Sequence, residues 1–457
     1  MPEGKTVIWS NILGTVIFGG GLMKKIFLVT FLALVITVGA MAQVIDVWLY
    51  GFTNEMAKVV SGMIDEEFTP KTGIEVRVSP LSWEDGNKVF LALISGDAPD
   101  VLSAGTSGML EYGLRGSVLD LRETFGEEYI ALEAQLFDAI TGPLKWMGTR
   151  FGVPQNISVM TAAYRLDLLS EMGLGIPNTW AELYTILPKI KAKNKEMGFD
   201  YGSPNYAPEW GIYSLVTQHG GQFYGEDGFT SAFDRPESIA GFKEYTELYT
   251  KHNLPRSGPG FEPFKRGEWL MTIDGYWLLS NLEVGAPELK GKWAPGLIPG
   301  TKRKDGSVNH GTFAASSAFG IPKTAKNPKA SWEFIKWFCN EETQLRYVEE
   351  VMAQIKGFMQ VPTAKKALAN MSSLSPAVRE TLYNQVHESY AVPYAPTSGV
   401  LLRFVQFAMH EVLMDKSTPE EAALKAASEM NKEMSRRKVE YQRFLDRLQQ
   451  EGKKYTD

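Results

Sequence analysis

The residues of this chain best equipped for chemistry are aromatic rings set beside acids, amides and glycines, and the chemistry they suit is non-covalent. The 457 residues include 11 Trp, 18 Tyr and 24 Phe. Such rings either fill cores or line a site for flat apolar surfaces. Several follow a predicted strand, where the ligands of open α/β sheets sit. Trp48 and Tyr50 end the first strand, and Tyr50 precedes Gly51, where backbone can approach closely. Trp83-Glu84-Asp85 follows the second strand. It sets one aromatic beside two carboxylates that serve equally well as N-terminal helix charges. Gly105-Thr106-Ser107 follows the third strand, as a site loop or a plain turn. Asp274, Gly275 and Trp277 follow a strand expected at Leu270–Ile273, and Trp210 stands in a loop before a helix.

Signatures of bond-making are missing. No G-x-S-x-G occurs, and Gly105-Thr-Ser-Gly108 lacks its spacing; His410-Glu411 has no second His one turn on. The run from Gly285 to Lys292 is one residue too long for a phosphate-binding loop and ends in Trp293. The five His residues show no metal spacing, and Cys339, the single cysteine, has no intramolecular partner. No cofactor or metal is therefore expected. Two carboxylates acting across a cleft have no local signature, so motifs alone do not exclude an enzyme of that kind. The net charge of −6 and pI of about 5.7 give no positive field for nucleic acid. With 44% apolar residues and one long apolar run, the chain is neither disordered nor a polytopic membrane protein.

That run lies near the start. Met23-Lys24-Lys25, an apolar stretch from Ile26 to Gly39, and Ala40-Met41-Ala42 form the three parts of a signal peptide. The stretch is short for a span of about 20 residues, and no Cys stands at the cleavage point to carry a lipid. Residues 1–42 are thus expected to be a leader, with translation starting at Met23, a signal peptide over 23–42, and residues 1–22 an overextended start. Gly19-Gly20 would be an in-frame reading of a purine-rich ribosome-binding stretch. The mature chain would begin at Gln43, be periplasmic or extracellular, carry no lipid anchor, and hold 44 basic against 52 acidic residues.

The elements that must position the aromatic residues follow from period and punctuation. Val44–Tyr50 reads as a strand, Glu55–Phe68 as a helix with apolar Met56, Val59, Val60, Met63 and Ile64, and Ile74–Val78 as a second strand. A helix over Trp83–Ser95, the turn Asp97–Asp100 and a short strand at Val101-Leu102 complete a βαβαβ order, which argues a parallel sheet. Further strands are expected at Phe151–Pro154, Val159–Tyr164 and Ala318–Ile321. Helix starts are marked by Thr179-Trp-Ala-Glu182, by Asn327-Pro328 for a helix to about Val351, and by Thr418-Pro-Glu-Glu421 for a stretch to about Gln450. No repeat and no low-complexity linker appears, so two lobes would be joined by several crossings.

Ser95-Gly-Asp-Ala-Pro-Asp-Val-Leu102 resembles the strand-entry turn of the extracellular solute-binding proteins of carbohydrate ABC importers. Other segments resemble that family in order: Phe68 to Val78, Gly113 to Leu121, Phe151 to Pro154, Ala163 to Arg165, Ile176 to Glu182, Met271 to Trp277, Ala330 to Phe338, Gly357 to Pro362 and Ser417 to Leu424. Each motif is weak, whereas the ordered set spans about 45 to 435. His310-Gly311-Thr312 departs from the pattern, which more often has Gly-Gly there. The resemblance implies an α/β, two-lobed type II periplasmic-binding-protein clamp with discontinuous lobes and a hinge of several segments. Residues 43–153 plus 312–358 would form one lobe, and 154–311 plus 359–457 the other. It implies binding without catalysis, a mono- to oligosaccharide or polyol ligand, a monomer, and the membrane permease subunits of an ABC importer as partners.

On that footing the rings would cover sugar C–H faces, and carboxylates and amides would bond hydroxyls. The expected ligand-binding residues are Trp48, Tyr50, Trp83, Glu84, Asp85, Thr106, Trp210, Asp274 and Trp277. The crossings add Gln155 and Asn156 at the first, His310 and Gly311 at the second, and Phe358 with Gln360 at the third. Trp180, Trp332, Trp337 and Cys339 read as structural, and Arg436–Asp457 as a solvated helix and tail. A secreted carbohydrate-active enzyme and a sugar-sensing surface protein are the competing functions.

Overall fold

The computed structural model describes residues 43–146, 148–201, 209–257, 260–391 and 398–450. The expected leader and residues 451–457 lie outside the described residues. The strands are β1 (Gln43–Tyr50), β2 (Ile74–Leu81), β3 (Val101–Gly105), β4 (Val153–Pro154), β5 (Ser158–Arg165), β6 (Glu196–Gly198), β7 (Trp269–Gly275), β8 (Trp293–Gly296), β9 (Phe313–Ala315), β10 (Ser317–Gly320) and β11 (Tyr390–Ala391), with two further short hairpins.

Local rules place the early elements. Thr53 caps the helix Asn54–Met63, its hydroxyl accepting from Met56 N at 3.3 Å. That helix buries Met56, Val59, Val60 and Met63 against β1, continues through a π turn at Ile64–Phe68, and ends at Gly73, whose φ of 72° suits glycine. Alternating burial of Ile45, Val47 and Leu49 pins the register of β1.

Two sheets result. The first has the order β2-β1-β3-β10-β4, with β1 parallel to β3 and β10 antiparallel to both β3 and β4. The antiparallel β10 arrives late in the chain, so the sheet is mixed rather than all parallel. The second has the order β11-β9-β5-β7-β6, with β8 also on β5. One apolar core lies under the first sheet, with the helices Pro328–Cys339 and Glu341–Gln354, and another under the second. The single helix expected over 330–351 is two, because Asn340 leaves helical geometry at ψ 163° and caps the second by accepting from Thr343 N at 2.9 Å.

The chain leaves the first sheet after Pro154 and enters the second at Ser158. It returns at Ser316, between β9 and β10. The expected return near Gly311 falls later because Phe313 and Ala314 still pair in the second sheet, with Tyr390 and Val159. Val361 bridges to Ile157, so a third segment runs beside the first.

The C-terminal end differs from expectation. The capping box at Thr418 forms in both arms, and the helix Pro419–Lys438 packs on the second core. Beyond it Tyr441, Phe444 and Leu445 are buried rather than solvated, and Phe444 packs on Trp146 and Phe151 beside the first sheet. Apolar residues three and four apart in a charged helix are the stripe that buries. Trp180, Trp332 and Cys339 are buried as expected, and Trp337 is half-buried on the first core. Among the described residues no helix is long and apolar enough to cross a membrane.

Candidate functional site

A cavity of about 630 Å³ collects residues from the carboxyl ends of strands in both sheets. From the first sheet come Tyr50 after β1, Trp83 in the turn after β2, and Gly105, Thr106 and Ser107 after β3. From the second come Tyr276, Trp277 and Phe313, the helix Glu209–Gln218 adds Trp210, and the crossings supply Asn156, Ser158, Ser316, Ser317, Phe358 and Gln360.

Two aromatic groups form its walls. Tyr50 and Trp83 meet edge to face at 5.1 Å, fixed by a 2.8 Å bond from the Tyr50 hydroxyl to Trp83 O. Gly51 is required there: at φ 81° a Cβ would stand 2.5 Å from the Trp83 ring. On the other side Trp277 lies 5.6 Å from Trp210, which in turn packs on Phe313 at 5.2 Å. The Trp277 ring folds back over Gly275, where a Cβ would stand 2.2 Å from it. Trp83 and Trp277 are 59% and 40% exposed, uncommon for Trp and in keeping with faces held for a ligand. Between the walls Thr106 donates to Ser316 O at 3.1 Å, and Asn156 Oδ1 accepts from Ser317 N at 2.8 Å, which orients its NH2 group.

Tyr50, Trp83, Thr106, Asn156, Trp210, Trp277 and Phe358 are therefore brought together in the cavity. The other expected residues of the ligand-binding set do not line it, except Gln360 at the third crossing. Trp48 is half-buried beneath the Lys88 ammonium, 5.5 Å from its ring. Glu84 is exposed, and Asp85 accepts from the Ser82 amide and hydroxyl at 2.8 and 2.9 Å, so its carboxylate is a helix cap. Gln155 is buried and donates to Tyr50 O at 3.1 Å, holding the end of β1 from beneath. His310 Nδ1 donates to Ile298 O at 2.8 Å, and Gly311 lies under the Tyr390 ring, where a Cβ would be 2.0 Å away. Met56, Ser158, Tyr276, Phe313, Ala315, Ser316 and Ser317 line the cavity without having been expected. Ser316 and Ser317 directly precede the expected strand at Ala318, so moving the crossing there would have found them.

Asp274 lies behind the second wall rather than in the cavity lining. Burial pushes its carboxyl up to about 6, opposed by the Gly275 amide at 2.7 Å and by the Trp277 side chain. Asp200, which accepts from Gly211 N at 3.0 Å in the first turn of the helix carrying Trp210, is pushed up to about 7 by burial, and the Asp274 charge adds to the rise. A carboxyl whose folded value is raised above 3.8 stabilises fully below that pH, and this is lost as pH rises through about 7. Urea unfolding of Asp200→Asn, which keeps an oxygen for Gly211, should show a smaller loss of stability between pH 4 and 8 than the parent chain, the remainder coming from Asp274 below about pH 6. The parent chain should lose a few kcal/mol over that window, because holding one carboxyl neutral costs about 1.4 kcal/mol for each pH unit above its unfolded value. Parallel curves would contradict the assignment.

The geometry has counterparts. The maltotriose-binding protein of Pyrococcus abyssi is 22% identical over 350 residues, 75% of this chain and 72% of that one. A maltooligosaccharide ABC transporter solute-binding lipoprotein of Streptococcus pneumoniae is 23% identical over 316 residues, 66% of this chain and 68% of that one. The solved structure of the sugar-binding protein MalE from Xanthomonas citri matches with a TM-score of 0.75 at 19% identity, covering 88% of this chain and 99% of that one. That likeness gives the fold: a two-lobed type II clamp with the cavity between its sheets. Residues 53–345 match the family described as bacterial extracellular solute-binding protein, and the chain belongs to that family.

Proposed function

We propose that the protein is the extracytoplasmic carbohydrate-binding component of an ABC importer, which closes its lobes around a sugar or polyol and delivers it to the membrane permease. One observation carries this reading: the exposed rings of Trp83 on one side and Trp277 on the other, with half-buried Trp210 beside the latter, line one cavity together with hydroxyls and the amides of Asn156 and Gln360. Rings cover sugar C–H faces, and polar groups between them bond the hydroxyls. The relatives' ligands make an α-linked glucose oligomer the first sugar to try. The ligand is bound and released without bond-making by a monomer.

The ligand-binding set is Tyr50, Trp83, Thr106, Asn156, Trp210, Trp277 and Phe358. The lobes are residues 43–154 with 317–358, and 158–315 with 359–438, hinged at 155–157, at Ser316 and near Phe358. The leader is removed after Ala42 and no lipid is attached. Mass spectrometry of exported protein should therefore find a chain beginning at Gln43; membrane-retained full-length chain would contradict this.

A thermal-shift screen against sugars and polyols tests the function. A ligand at 100 times its Kd stabilises by about 2.7 kcal/mol, a clear rise in Tm. No shift with any member, together with release of products from glycans, would favour a carbohydrate-active enzyme.

A further inference from the structure

We infer that the cleft continues past Tyr50 into a second cavity, and that this cavity takes a further ring of a longer oligosaccharide, an inference that rests on the sugar-binding reading above. The second cavity is about 410 Å³ and is built wholly from residues 50–112. Tyr50, Gly105 and Ser107 line both cavities, so the two share one surface. It lies between the helices Gly86–Ser95 and Thr106–Leu114.

Its chemistry repeats that of the cleft. Phe90 stacks on Tyr112 with centroids 6.4 Å apart and an interplanar angle of 24°. Phe90 is nevertheless 37% exposed, which leaves one apolar face uncovered. Asn87 contributes an amide to the lining and Glu111 a carboxylate. Arg115 Nε and Nη2 both donate to Glu111 Oε1, at 3.0 and 2.8 Å. Oε2 has no hydrogen bond among the described residues. A ring face, an amide and an acceptor oxygen suit a hydroxylated pyranose. An acyl chain would offer nothing to the Asn87 amide or to Glu111 Oε2. The volume falls within the range of about 300–1,000 Å³ usual for small-ligand sites.

Calorimetry on the full mature chain tests this, using α-1,4- and β-1,4-linked glucose oligomers of increasing length. Affinity should rise about tenfold between the shortest oligomer that binds and one a ring or two longer. Phe90→Ala should erase most of that gain and leave the shortest oligomer within about twofold. Glu111→Gln, isosteric and partly exposed, should reduce the same gain. Affinity independent of length, or a Phe90→Ala loss equal at every length, would overturn the inference while sugar binding stood. Failure of every oligomer to bind would overturn the sugar-binding reading for these glucans and this inference with it.

Discussion

Trp277→Ala is expected to weaken sugar binding by about 30-fold or more, or about 2 kcal/mol, the scale of a buried aromatic anchor at an interface, while leaving the apo Tm nearly unchanged. The two halves of the expectation have one cause. The ring is 40% exposed, so its removal uncovers little core. A sugar seated between the walls would complete its burial. Placement matters as much as presence, because the ring folds over a glycine and meets Trp210 at 5.6 Å. Gly275→Ala should therefore weaken binding too, by pushing the ring away with the ring itself intact. Calorimetric affinity and apo melting curves decide. If apo stability instead falls by about 3–5 kcal/mol, the cost of truncating a core aromatic, Trp277 is a core residue and the wall is misassigned.

Gln218→Leu should destabilise the fold by about 3–5 kcal/mol, summing buried polar groups that cost about 1–3 kcal/mol each when left unpaired. Gln218 is 3% exposed and saturated. Its Oε1 accepts from Trp180 Nε1 at 2.9 Å and from the Thr301 hydroxyl at 3.0 Å, and its Nε2 donates to Pro299 O and Gly311 O at 3.2 and 3.0 Å. Leucine fills much of the volume but strands an indole N–H and two carbonyls. Urea unfolding should show a lower midpoint at unchanged slope. A loss under about 1 kcal/mol would mean that the segment from Pro299 to Gly311 rearranges to pair itself.

The same contacts explain what the sequence could and could not disclose. Strands and caps were legible because their causes are local: the apolar alternation through Val47 and Leu49, the Thr179 and Thr418 caps, proline after Asn327. Site residues that follow strands directly, such as Tyr50, Thr106 and Trp277, were legible for the same reason. His310 and Gly311 misled because polar-glycine pairs suit a ligand loop and a structural turn alike. What separates the two readings is a glutamine 93 residues away, whose bond to Gly311 O no local pattern shows. Asp85 stayed open for a related reason: a carboxylate beside Trp83 suits a sugar and a helix N-terminus alike, and only its bonds to Ser82 select the cap. The buried end at Tyr441, Phe444 and Leu445 was hidden by the run of charges before it.

Ligand binding is expected to close one lobe on the other. The chain passes between the sheets through short segments, three residues after Pro154 and one at Ser316. Such links permit rotation of one lobe on the other and forbid free tumbling. A sugar touches both walls only when they approach, so it binds the closed form better and shifts the population by that difference. Small-angle X-ray scattering, with and without a ligand confirmed by calorimetry, tests this most directly. A smaller radius of gyration is expected on binding, with the same midpoint as the change in tryptophan fluorescence. An unchanged scattering curve at full occupancy would contradict it, placing the ligand on one lobe or in a chain closed beforehand.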